Sequence, residues 1–201
     1  MLQRSFRSPL SIAALFLGMV FSAAAPRVAL AQDQGAAQFI QYHGSQALQQ
    51  LAGPAQQRIA YFRQLFATNF DLPEISRFVL GQYSRMLPPQ EQQEFASLFQ
   101  DYIAKSSVRL APYAGAQFRV TGARPNGGAT VVTSQAFSPG SNQPIGIDWQ
   151  VVNQGGRYLV TDVIVGGVSM KVSLRDEFAS IIQRNGGRPE ALLAVMRQQR
   201  G

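Results

Sequence analysis

Between Phe118 and Val165 glycine-rich turns cut the chain into four strand-length segments, and that punctuation leaves few folds open. Phe118 to Val120 begin the first segment, and Pro125-Asn126-Gly127-Gly128 end it with residues that favour tight turns. The second runs over 129–137. After the loop Ser138-Pro139-Gly140-Ser141-Asn142, the residues Ile145, Ile147, Trp149 and Val151 alternate with Gly146, Asp148 and Gln150. That alternation gives the third strand one apolar face. Asn153-Gln154-Gly155-Gly156 turns the chain into residues 158–165, which are apolar on both faces. Connections this short join antiparallel neighbours, so the segments form a meander.

Helical periodicity flanks the meander. Residues 36–52 and 54–69 read as helices, the second with Ile59, Phe62 and Phe66 on one face. Asp71 is a candidate N-cap for a helix that carries Ile75, Phe78 and Val79. Pro88-Pro89 opens what the spacing predicts to be the longest helix, reaching about Leu110. Its stripe is Phe95, Leu98, Phe99, Tyr102 and Ile103. After the fourth strand Gly166-Gly167 permits a sharp bend, and Ser173 with Asp176 resembles a capping box. Leu174, Phe178, Ile181 and Ile182 face inward from that helix, Gly186-Gly187 stops it, and residues 189–200 make a short last one. Helices, then a sheet, then helices indicate an α+β fold: a four-stranded antiparallel sheet against several helices.

The N-terminus reads as an export signal. Arg4 and Arg7 precede an apolar stretch at 10–21, too short for a comfortable membrane span, and Ala29-Leu30-Ala31 has the form of a cleavage site. Residues 1–31 are therefore expected to be removed, leaving 32–201 as a single domain. Loss of Arg4, Arg7 and Arg27 lowers the formal charge from +7 to +4. An exported chain without cysteine is held by packing rather than by disulfides.

Catalytic sets are sparse. The single histidine, His43, has no cysteine to pair with, which argues against the common dyads and triads and against most metal sites. Gly166-Gly167-Val168-Ser169-Met170 lacks the lysine of a phosphate loop. Asp162, inside an apolar strand, must find hydrogen-bond donors. A structural bond or an arginine partner is the first reading, and a catalytic base in a cone-shaped cavity the second. The basic excess is mostly scattered arginine without the aromatic interleaving of nucleic-acid sheets, so no nucleic-acid partner is expected. The remaining signal is apolar: phenylalanines in the helical third and Trp149 on the sheet, which ordinary core packing or a ligand cavity would both explain.

Taken in order, LGQYSRM at 80–86, the aromatic helix after it, IDWQV at 147–151 and GVSM at 167–170 followed by Glu177-Phe178 resemble the MlaC/Ttg2D family over residues 70–196. The resemblance implies a curved sheet and helices around an apolar cavity that holds lipid tails. It implies a soluble periplasmic lipid carrier, not an enzyme, with no cofactor beyond its phospholipid cargo. It also implies two partners: an inner-membrane ABC transporter complex with a substrate-binding ring, and an outer-membrane lipoprotein–porin complex. Matching positions on inward faces make Phe78, Val79, Phe99, Ile103, Ile147, Trp149, Val163 and Val168 the expected lipid contacts. Arg109, Arg119 and Arg124, which flank the first strand, are candidates for docking to partner proteins. A hopanoid cargo, a cavity enzyme of the same fold and a protein-interaction adaptor remain as alternatives.

Overall fold

The computed structural model describes residues 27–141 and 143–200, with side chains for all of these except 27–33 and 200. The apolar stretch expected as the core of an export signal, 10–21, lies outside the described residues. Four helices come first: α1 (Arg27–Gln50), α2 (Ala55–Asn69), α3 (Leu72–Leu80) and α4 (Pro89–Ser106). The sheet follows as β1 (Gln117–Asn126), β2 (Ala129–Phe137), β3 (Ile145–Gln154), β4 (Arg157–Val165) and β5 (Val168–Ser169), and α5 (Met170–Arg184) and α6 (Glu190–Arg200) close the chain. The fold class is α+β. The sheet is an antiparallel meander in the order β1-β2-β3-β4-β5.

Five strands replace the four expected. Gly166 and Gly167, at φ of 57° and 83°, make a turn tight enough for Val168 and Ser169 to pair back onto Val165 and Ile164. Two residues carry too little periodicity to read as a strand. Register shifts between Val120 and Gly122 and between Gln150 and Val151 bend the long strands where they occur.

Local chemistry explains the helix ends. Asp71 caps α3 as expected, its Oδ1 accepting from the Glu74 amide at 3.1 Å. The helix after the sheet starts earlier than the capping-box reading placed it. Ser169 is the N-cap, its Oγ accepting from the Val172 amide at 3.2 Å, and Ser173 instead donates to the Ser169 carbonyl. The long aromatic helix stops at Ser106 and continues as a 3₁₀ segment over Ser107–Tyr113. Pro112 lacks an amide proton and its ring disfavours a regular α-turn there.

Two apolar clusters result. One lies among α3 to α6 and includes Val79, Phe95, Leu98, Phe99, Phe178 and Ile182. Phe95 and Phe99 stack with centroids 5.7 Å apart, and the Phe178 ring stands edge-on to both at 6.0 Å. The other lies where α1 crosses the sheet, around Ile40, Val132, Val151 and Val160. Glycine lets α1 lie this close: a Cβ on Gly44 would stand 2.5 Å from the Phe118 ring, and one on Gly35 would overlap Tyr158. The Gln41 side chain then serves the open edge of the sheet. Its Oε1 accepts from the Val120 amide at 2.8 Å and its Nε2 donates to the Phe118 carbonyl at 3.3 Å, which shields an edge strand from further pairing.

Candidate functional site

Helices and sheet do not meet everywhere. Between α1 to α4, β3, β4 and α5 they leave a cavity of about 470 Å³. Its deep wall is buried and apolar: Ile40, Phe62, Ile75, Phe99 and Val160. Its mouth is marked by lining residues that are themselves solvent-exposed: Ser106, Arg109, Leu110, Met170, Ser173 and Glu177. Both the end of α4 and the beginning of α5 therefore form the rim.

The expected lipid contacts divide in two. Phe99 and Ile103 on α4, Trp149 on β3 and Val163 on β4 stand together on the cavity wall. The Trp149 ring is held by its polar edge, Nε1 donating to Ser134 Oγ at 2.9 Å, and packs edge-on to Phe118 at 6.1 Å. The other four are placed elsewhere. Val79 is enclosed in the α3–α6 core at 1 % exposure. Phe78 lies at the margin of that core beneath two cations, with Lys171 Nζ 4.6 Å and the Arg175 guanidinium 5.3 Å from its ring centroid. Ile147 is half-buried on β3 but outside the cavity wall, and Val168 is 54 % exposed on the edge strand β5.

Sequence reasoning missed the contribution of α1, which brings Phe39, Ile40, His43 and Gly44 to the cavity. Its one available signal was glycine at 35 and 44 inside a helical segment, a sign of close approach. It also missed Leu65, Met170 and Leu174.

Most of the polar groups that line the cavity are already hydrogen-bonded within the protein. Asp162, 5 % exposed, accepts from Ser169 Oγ at 2.6 Å, from the Val163 amide at 2.9 Å and from the Lys171 amide at 3.1 Å. One carboxylate thus fastens the start of α5 to β4, the structural reading of Asp162 rather than the catalytic one. Lys171 Nζ reaches Glu74 Oε1 at 3.4 Å, and Asn69 Nδ2 donates to His43 Nδ1 at 2.9 Å. Burial holds His43 below its ordinary pKa, because the protonated ring loses hydration there. At the mouth Tyr102 Oη donates to Glu177 Oε1 at 2.7 Å. Burial first, and then this bond to a carboxylate, push the phenol up to about 12. Among the described residues no group of three or more metal-ligating side chains occurs, and no helix is long and apolar enough to cross a membrane.

These features define a class: an α+β protein with an apolar cavity between a meander sheet and its helices. The chain belongs to the MlaC protein family, whose model matches residues 41–198. It is 26 % identical over 118 residues to the toluene tolerance protein ttg2D of Pseudomonas putida. That match takes in 58 % of this chain and spans 55 % of the relative's length. The fold is shared with the phospholipid-binding protein from Ralstonia solanacearum, solved in complex with a phospholipid. The TM-score is 0.67 at 17 % identity, covering 85 % of this chain and 95 % of that one.

Proposed function

We propose that the chain is a periplasmic lipid carrier that encloses phospholipid tails in the cavity and shuttles them between membrane complexes. The observation that supports this most is the cavity itself, with aromatic and aliphatic walls and polar groups that are mostly hydrogen-bonded already. Such a lining attracts methylene groups and gives a reacting centre little to work with. Each CH₂ removed from water contributes about 0.8 kcal/mol, so two long tails gain about 24 kcal/mol against water. Tails already in a bilayer gain almost nothing by moving, so transfer between membrane and protein is near balance. A carrier of this kind protects its cargo across an aqueous gap and still releases it.

Phe99, Ile103, Trp149 and Val163 are the residues assigned to the tails. Two tails need about 1,000 Å³, more than twice the volume present. Full loading therefore requires the walls to move apart. Residues 1–31 would direct export to the periplasm. Membership of the family supports docking to an inner-membrane ABC transporter with a substrate-binding ring and to an outer-membrane lipoprotein–porin complex. Arg119 and Arg124, exposed on the edge strand β1, are retained as docking residues. No reaction is assigned, and energy comes from the partner ATPase.

Organic extraction of purified protein followed by mass spectrometry tests the reading. About one phospholipid or more per chain is the expected yield. A chain that carries none, and takes up none from phospholipid vesicles, is not a carrier. A polycyclic lipid in place of a phospholipid would keep the carrier and change the cargo.

A further inference from the structure

Beside the cavity mouth lies a second, smaller recess of about 130 Å³, lined by Leu98, Asp101, Tyr102, Lys105, Ser106, Arg109, Met196 and Gln199. Tyr102, Ser106 and Arg109 line both spaces. The recess is thus a polar annex to an apolar chamber, between α4 and α6. Its size excludes a long tail and suits a small polar group attached to one.

The ionised groups around it favour an anion. Asp101 is engaged by Arg63 at 2.7 Å, which leaves its charge compensated. Lys105 Nζ donates to the Gln199 carbonyl and holds the far wall. Arg109 is exposed and takes part in no ion pair or hydrogen bond among the described residues. Glu177 lies on the opposite side of the mouth and is engaged by Tyr102. The C-terminal end of α4 opposes an anion with about half a negative charge, which a full guanidinium charge outweighs.

We propose that this recess receives the phosphate of the lipid headgroup, with the Arg109 guanidinium as its main donor. The inference rests on the carrier reading and adds a chemical preference: phosphate-bearing lipids are retained over neutral lipids with the same tails. Guanidinium suits the role because it presents paired donors to phosphate oxygens. It also reassigns Arg109, expected from the sequence at a protein-docking surface, to the cargo.

The test uses lipid-stripped protein incubated with vesicles containing equal amounts of dioleoylphosphatidylglycerol and dioleoylglycerol, re-isolated and quantified by mass spectrometry. The wild type is expected to favour the phospholipid about tenfold, the ratio one charge-assisted contact supplies. Arg109→Gln is expected to bring that ratio near one by lowering uptake of the phospholipid alone, and Arg109→Lys to retain part of it. An unchanged ratio in Arg109→Gln overturns the assignment. So does an equal loss of both lipids, which would mark Arg109 as structural. If millimolar inorganic phosphate alone abolishes the preference, the recess is a free-phosphate site rather than a headgroup site. If the wild type takes up neither lipid, the carrier reading itself fails together with the subsite.

Discussion

Two apolar regions of this protein are built from the same residue types, yet one is solid and the other hollow. Among α3 to α6, Phe95, Phe99 and Phe178 fill their space with rings at 5.7–6.0 Å. Across Phe99, toward the sheet, the next walls are α1 and β4, and a cavity of about 470 Å³ opens. Phe99 belongs to both, fully buried on one side and facing the cavity on the other. The difference lies in the distance between walls. Helices packed on helices approach to within a side chain of each other, whereas here the sheet and five helices enclose a volume their side chains do not fill. Apolarity alone therefore does not identify a binding residue.

The comparison breaks most visibly with a charge. Ile103→Asp puts a carboxylate on the cavity wall and is expected to abolish lipid recovery while the protein stays folded. Ile147→Asp, on the same sheet face as Trp149 but off the wall, is expected to keep most of its lipid. Equal lipid loss in both variants would show that the boundary of the cavity has been drawn in the wrong place.

Next in size is the solid core. Phe178→Ala removes a ring at 0 % exposure that touches Phe95, Phe99 and Tyr102, and is expected to cost about 3–5 kcal/mol in denaturant unfolding. Phe66→Ala, on the cavity side and only half-buried, is expected to cost less than half as much. Equal losses would mean that the cavity wall is as tightly packed as the core.

Asp162 fastens the start of α5, one wall of the hollow region, to β4. Asp162→Asn keeps the shape but removes the charge that three donors share, at an expected cost of about 1–3 kcal/mol. If Asp162 holds the wall closed, hydrogen exchange at the start of α5 rises more than exchange in α4. Uniform exchange across both helices would reduce the bond to ordinary stability.

The smallest effect is with pH. His43 titrates below its ordinary value in the folded protein, so the neutral ring contributes stability that is fully present above pH about 6.5. That contribution fades as pH falls through the lowered folded value. His43→Gln is expected to flatten the acid limb of a thermal-stability profile below about pH 6.5. Tyr102 has the opposite sense: its contribution holds below pH about 10 and is lost as pH rises toward about 12. Tyr102→Phe is expected to remove that alkaline limb.

What the sequence determined by itself is whatever a few neighbouring residues decide. The turns at Gly127-Gly128 and Gly155-Gly156 have positive φ, the Asp71 cap forms, and the alternation of Ile145 to Val151 sets the strand and its faces. These are short-range preferences of backbone and side chain, and they were enough for the α+β class and for the family. Tertiary structure decided what depends on which surfaces come together. Ser169 displaced Ser173 as the helix cap because a distant carboxylate, Asp162, holds it in place. The fifth strand exists because β4 offers an edge to two residues. Val79 and Phe99 share a periodic apolar pattern, but only the placement of α1 across the sheet put Phe99 on a cavity wall and left Val79 in solid core. Arg109 likewise stands just before β1 in the chain, but the 3₁₀ segment that carries it packs on α2 and α4 and brings it to the mouth. Periodicity tells which face is apolar, and an enclosed volume depends on the separation between faces, which no local pattern encodes.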